Sequence, residues 1–315
     1  MSSNTWAALA LALFSARVLS AGPVYTFQTL TAPGGAGSEA WGINAAGDVV
    51  GYYSSANGNL GFLYNPVTQA FTTLTGPAGA SDIQALGIND SGEIVGDYRN
   101  AANNTLGFVY SNGTYQTISA PGAQYGTIVS GINDSGQLAL TYFTSTANSA
   151  YRWTPSGMSY TTQSFSVGGN STDAGGINNS GEIAGYYQTP NYGGYLWNSN
   201  GTSSTFEEPN DSSGTTQALD VNNNGEVVGS FFGANGESGY ADQGGVFTQI
   251  NVPGSIYTYT TGVNDNGEIT GWYMDSADHL HSFIATPTAT APEVSSFAML
   301  GLGCVGLGLW RRRRG

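Results

Sequence analysis

Apolar residues in this chain come in short runs broken by turn residues, with no stretch of helical spacing through its middle. The segment from Leu86 to Gly122 shows the pattern. Leu86-Gly87-Ile88-Asn89, Glu93 to Tyr98, Leu106 to Tyr110 and Tyr115 to Ile118 alternate or run apolar over strand lengths, and each is bounded by Gly, Asn, Ser or Pro. Period-two alternation between turn signals predicts four β-strands. The wording then repeats. Gly87 to Gly96 (Gly-Ile-Asn-Asp-Ser-Gly-Glu-Ile-Val-Gly) has a copy at Gly42 to Gly51, and further copies open at Gly131, Gly176, Asp220 and Gly262. Start-to-start spacings of 45, 44, 45, 44 and 42 residues describe an array of similar supersecondary units.

Between the first and second strands every unit keeps Asn-x-x-Gly: Asn44 with Gly47, Asn89 with Gly92, Asn133 with Gly136, Asn178 with Gly181, Asn222 with Gly225, Asn264 with Gly267. An Asn side chain caps a type I turn, and the glycine takes the positive φ that a Cβ penalises, so this reads as a hairpin corner. The third strand carries an aromatic residue in every unit (Phe62, Phe108, Tyr151, Tyr195, Tyr240, Phe283), predicted to fill the space between neighbouring sheets. Unit three departs from the pattern at Gln137, Leu140 and Arg152, and is predicted to pack differently.

Four antiparallel strands per roughly 44 residues, repeated, is the arithmetic of a β-propeller blade. The sixth unit runs from its third strand into Pro287 and lacks a fourth, while the chain opens with a spare strand, Tyr25 to Thr31, worded like a fourth. That exchange leaves no bare edge. The prediction is an all-β, six-bladed β-propeller closed by an N-terminal strand, over residues 24 to 286.

Composition narrows the chemistry. There is no lysine, and between Gly22 and Ala291 only Arg99 and Arg152 face twenty acidic residues. A body so acidic repels phosphate backbones, which excludes a nucleic-acid partner and leaves solubility or divalent-cation binding as the use of the charge. The one cysteine, Cys304, excludes a disulfide framework and any multi-cysteine metal or redox site.

The two ends read as processing segments. Residues 1–21, with an apolar run from Trp6 to Phe14 and small residues at Ser20-Ala21, read as a signal peptide. The propeller takes 22–286, a linker with a Pro-Glu pair takes 287–293, and 294–315 hold an apolar helix and an arginine-rich end. The apolar run from Phe297 to Trp310 is short for a transmembrane helix, and Arg311 to Arg314 behind it would hold the C-terminus in the cytoplasm. The expectation is an exported protein of the cell envelope or extracellular space, anchored stably or transiently by that helix.

The repeated Gly-Ile-Asn-Asp-x-Gly-x-Ile-x-Gly units, each followed by an aromatic third strand, resemble the bacterial extracellular repeat family called HAF; His281-Ser282-Phe283 keeps its name-giving wording. That resemblance implies an exported repeat protein with no defined activity. The tail resembles the PEP-CTERM sorting signal, with Pro292, Glu293, the apolar helix and Arg311, Arg312, Arg313 and Arg314; Val294 stands where that pattern has its second proline. This second resemblance implies processing by an exosortase-type enzyme in a Gram-negative bacterium that makes exopolysaccharide.

Candidate site residues are few. Asp48, Glu93, Glu182, Glu226 and Glu268, with Gln137 in unit three, follow the corner glycines, and six-fold repetition would set five carboxylates around one rim. Such a rim is a solvated edge or a weak calcium or polyol site, since hard cations favour carboxylate oxygens. His279 and His281 could share a metal with Asp275 or Asp278, although His-x-His alone falls short of a complete ligand set. No nucleophile elbow, phosphate-binding loop or dinucleotide fingerprint occurs, so no catalytic residue and no other cofactor is assigned. Three functional classes remain. One is a structural or interaction module that binds polysaccharide or a surface protein. Another is a carbohydrate-active enzyme using channel carboxylates. The last is a secreted protein whose tail is merely a membrane stop.

Overall fold

The computed structural model describes residues 23–33, 37–156, 159–167 and 171–288. The segment read as a signal peptide, the Pro292-Glu293 pair, the apolar run and Arg311 to Arg314 all lie outside them. Among the described residues there are 24 strands and no helix, and so no helix long and apolar enough to cross a membrane. The fold is all-β and propeller-like.

Each repeat gives four antiparallel strands. In unit two these are Ser81–Ile88, Ile94–Arg99, Thr105–Ser111 and Thr114–Ile118. The first strand starts five residues before the apolar run that announced it, because a β-bulge falls between Ala85 and Gly87 and upsets the alternation at Leu86. The corresponding first strands are Ser38–Ile43, Gly126–Ile132, Ser171–Ile177, Gln217–Val221 and Tyr257–Val263, and every one carries the same bulge. Four units are separate four-stranded sheets. Units two and three join into an eight-stranded sheet through one parallel pairing, Gly126 with Thr105.

The opening strand, Val24–Leu30, pairs antiparallel with the third strand of unit six, Leu280–Thr288, in the register Phe27 with Ala285 and Leu30 with Ser282. That third strand continues through Pro287 to Thr288, into the stretch expected to be linker. Its second-strand partner ends at Ile269, opposite Ala285, so Pro287 sits where a missing N–H breaks no ladder on that side.

Buried apolar side chains fall into six clusters, each shared by two neighbouring units. Leu30 and Ile284 with Ala40, Phe62 and Tyr64 join the last unit to the first. The others join one and two, two and three, three and four, four and five, and five and six. A Phe or Leu fully removed from water in such a layer contributes about 1.5–3 kcal/mol. The third-strand aromatics do this work: Phe62, Phe108, Tyr195, Tyr240 and Phe283 are completely buried.

Their burial depends on a glycine directly across the sheet: Gly51, Gly96, Gly185, Gly229 and Gly271 face these five rings. An added Cβ at Gly96 would lie 1.9 Å from the Gln84 carbonyl oxygen, and one at Gly185 would lie 2.4 Å from the Tyr195 ring. The gap lets the Tyr195 and Tyr240 hydroxyls donate to the first-strand carbonyls of Asp173 and Gln217. Unit three has Leu140 here, opposite Tyr151. Leu140 fills the gap, and Tyr151 turns aside, partly exposed, to the Tyr142 hydroxyl. Arg152, the neighbouring departure, is 2% exposed. It stacks over Trp197 at 4.3 Å and donates to the carbonyls of Trp197, Asn198 and Ser199 in unit four.

Candidate functional site

A cavity of about 500 Å³ is lined by residues of all six units. Its wall is built mainly from the first strands and the corners that follow them, with second-strand side chains such as Tyr186 and Trp272 joining at the end opposite the corners.

At the corner end the six asparagines make a hydrogen-bonded cycle. Asn44 Nδ2 donates to Asn89 O, Asn89 to Asn133 O, Asn133 to Asn178 O, Asn178 to Asn222 O, Asn222 to Asn264 O, and Asn264 back to Asn44 O, at 2.9–3.3 Å. Each Oδ1 accepts backbone N–H groups of its own turn, as Asn178 does from Ser180 and Glu182. The amide is then close to fully satisfied, which is what burial demands of it. The residues next to these asparagines form a second chain of bonds: Ala45 N donates to Asp90 Oδ1, Asp90 N to Asp134, Asp134 N to Asn179, Asn179 N to Asn223, and Asn223 N to Asp265.

The rim carboxylates singled out from the sequence do not line the cavity. Glu93, Glu182, Glu226 and Glu268 each accept from the Nδ2 of their own corner asparagine, as Gln137 does through Oε1, and Asp48 accepts from Asn65 Nδ2. Each of these five acids is bonded within its own unit. Among the described residues they form no group of three with ligand spacing.

Above the corners the first strands touch. A Cβ on Gly42 would lie 3.0 Å from the Gly87 Cα, one on Gly131 2.9 Å from the Gly176 Cα, and one on Gly262 2.5 Å from the Trp41 carbonyl oxygen. Unit five alone puts a side chain at this level. Asp220 reaches over Gly176, accepts from Val221 N (2.8 Å) and Val263 N (2.9 Å), and faces the cavity while walled in by protein, so burial pushes its carboxyl up to about 7.

Beyond this waist the units stop resembling one another. Five residues before each corner asparagine stand Glu39, Gln84, Ile128, Asp173, Gln217 and Tyr259, paired across to Tyr52, Asp97, Thr141, Tyr186, Ser230 and Trp272. Tyr259 and Trp272 stack with ring centroids 4.0 Å apart and planes 13° off parallel, and Trp41 stacks on Tyr52 at 6.4 Å and 20°. The Tyr52 hydroxyl donates to Glu39 Oε2 at 2.5 Å. Trp41, Gln84, Asp173, Tyr186, Gln217, Tyr259 and Trp272 line the cavity. Buried polar atoms at this level without a hydrogen-bond partner within the protein include Trp272 Nε1, Asp97 Oδ1 and Ser230 Oγ. Burial, reinforced by Asp82, pushes Asp97 up to about 7. Burial pushes Asp173 up to about 6 against a hydrogen bond from Asn148. Aromatic faces, amides and the Asp173 carboxyl together suit a ligand that has both apolar and hydroxyl surface.

None of these far-end residues was singled out from the sequence, which offered one usable signal: the residues just before Gly-Ile-Asn vary between copies while the corner after them does not. His279 and His281, by contrast, do converge on Asp275, at the tip of the hairpin between the second and third strands of unit six. Asp278 is part of that turn, with φ 62°, and lies outside the cluster.

No family model matches the chain, and no curated protein matches it. Among solved structures it is similar to the lectin of Aleuria aurantia in complex with Fucalpha1-6GlcNAc. Identity is 16%, the match covers 84% of this chain and 100% of that one, and the TM-score is 0.51. It is also similar to TolB from Acinetobacter baumannii, at 15% identity, with 76% and 69% covered and a TM-score of 0.50. Likeness at these identities shows the fold alone: this chain is propeller-like.

Proposed function

We propose that this chain is an exported binding module, a six-bladed propeller whose far cavity mouth takes a saccharide or another polyol. Closure of six blades is supported by the strand Val24–Leu30 seated on unit six and by the asparagine cycle that returns to Asn44. The observation that carries the ligand class is the far mouth itself. Stacked Trp–Tyr pairs stand beside Gln84, Asp173 and Gln217, with the Trp272 N–H unpartnered. An aromatic face accepts the C–H side of a sugar ring, while amides and carboxyls accept and donate to its hydroxyls. A buried donor without a partner costs about 1–3 kcal/mol, a cost that a hydroxyl acceptor would relieve. The Aleuria aurantia lectin is one protein of this fold seen with a saccharide, and none of its residues is carried over.

A glycan array on purified residues 22–291, backed by calorimetry, tests the reading. Expected is saturable binding to at least one neutral or acidic glycan, lost when Trp272 is replaced. No binding across the array would sink it. A second reading, a carbohydrate-active enzyme, draws on Asp97 and Asp173, whose raised carboxyls have the protonation a general acid needs. Reducing-sugar release from the bound glycan would favour it. Export and sorting rest on residues 1–21 and on Pro292, Glu293 and Arg311 to Arg314, with envelope polysaccharide as ligand and an exosortase-type enzyme as processing partner. Surface labelling of cells with and without residues 292–315 tests that part: equal display would remove the sorting role.

A further inference from the structure

We propose that the hairpin tip of unit six binds a divalent transition-metal ion of the zinc type through His279 Nδ1, His281 Nε2 and Asp275 Oδ2. The three atoms lie within 4.8 Å of one another, with His281 Nε2 2.9 Å and His279 Nδ1 3.5 Å from the same carboxylate oxygen. Ligands held at about 2.0–2.1 Å from a tetrahedral zinc ion stand roughly 3.3 Å apart, between those two separations. The histidine–histidine pair lies within the same 4.8 Å, so turning the exposed His279 ring inward would complete the ligand spacing.

The turn itself holds the ligands in place. It repeats the corner design with Asp275 in the asparagine's position: Asp275 N donates to His279 O and Asp278 N to Asp275 O, while Asp275 Oδ1 accepts from Ala277 N and His279 N. One carboxylate oxygen is thereby committed to the backbone, and the other is turned towards the imidazoles. His281 is fixed from behind, stacked on Tyr273 at 5.1 Å and 27°, and the Tyr273 hydroxyl bonds to Thr29 of the opening strand. Such outer contacts orient a ligand and raise its affinity. Imidazole nitrogen suits zinc, copper and nickel, whereas calcium and magnesium prefer all-oxygen sites. The strongly acidic body draws cations of either kind, so the two nitrogens supply the selectivity.

With three protein ligands, the ion would keep at least one position for water or a ligand oxygen. The site also differs in kind from the rim of carboxylates near the corners, since it needs no symmetry between units.

The test is calorimetric titration of the tag-free chain with zinc chloride, with calcium chloride in parallel. Expected is one zinc per chain, no heat from calcium, and an affinity that falls roughly 100-fold in His279→Ala and in Asp275→Asn. His279 is largely exposed, so His279→Ala is expected to fold, and its unchanged melting temperature without metal would verify that. Cobalt substitution gives a second readout, a visible absorption band of four-coordinate form in the parent and none in His281→Ala. Absence of zinc heat, or zinc binding kept by all three variants, would overturn the proposal and leave the contacts as a hydrogen-bonded cluster only.

Discussion

At the corner end of the cavity all six units present the same side chain, an asparagine 3–6% exposed; at the far end the six equivalent positions hold Glu39, Gln84, Ile128, Asp173, Gln217 and Tyr259. Identical amides can satisfy one another around a cycle, since each has a donor for the next carbonyl. Unlike side chains cannot, and there the protein leaves the Trp272 N–H and Asp97 Oδ1 without partners. Repetition therefore marks what holds the units together, and its breakdown marks where something else can be held. The glycines that seat the aromatic layer belong to the first class, and Asp220, the one side chain at the waist, belongs to the second.

A hard break in the repeated half should come at Gly96, one of the glycines that face the buried rings. An added Cβ would lie 1.9 Å from the Gln84 carbonyl oxygen, and backbone cannot step aside as a side chain does. Gly96→Ala is expected to cost at least about 4 kcal/mol or prevent folding, read by denaturant unfolding. A midpoint equal to that of the parent would mean that the gap opposite Phe108 is not structural.

In the variable half the largest expected effect is electrostatic. Asp97 is raised from an ordinary carboxylate value of 3.8 to about 7 in the folded state. The folded chain thus holds this proton more tightly than the unfolded chain, so stability falls as pH rises between those two values. One proton gives a slope of up to about 1.4 kcal/mol per pH unit. Asp97→Asn stays uncharged, so its stability curve should be flatter over that window and lie above that of the parent once pH passes about 8. Parallel curves would show that Asp97 keeps an ordinary pKa.

A gentler break returns to the corners. Asn178→Ala removes the donor to Asn222 O and the acceptor for Ser180 N and Glu182 N, leaving buried groups unpaired. About 2 kcal/mol should go, with saccharide binding at the far mouth unchanged. Loss of binding in step with stability would show that the two ends are not separable.

Much of this division could be read from the chain. Asn-x-x-Gly six times in phase gave the corners, and the spare strand Tyr25 to Thr31 gave the pairing with unit six, because turn chemistry and alternation are local. The carboxylates after the corner glycines stand out for the same reason. They repeat, so they belong to the frame, and Glu93, Glu182, Glu226 and Glu268 are taken up by the neighbouring amides. The far mouth was illegible because its members meet only after a bulge re-aims each first strand. No local pattern tells that Glu39 will face Tyr52, or that Tyr259 will stack on Trp272.

The repeats also contain their own substitution series, which sharpens the comparison most. Trp41 occupies the bulge position where the other units carry Leu86, Ser130, Gly175, Leu219 and Thr261, all on the cavity wall. A backbone that accepts glycine, serine, threonine and leucine at one site places little structural demand on it. Trp41→Leu is therefore expected to change stability by no more than about 1 kcal/mol. The same change removes an aromatic face from the mouth and its stacking on Tyr52, and should weaken glycan binding roughly tenfold, or about 1.4 kcal/mol. Thermal unfolding and calorimetry on one preparation decide between the two roles. If stability collapses while binding survives, Trp41 belongs to the frame after all, and variation between units has ceased to be a guide to the site.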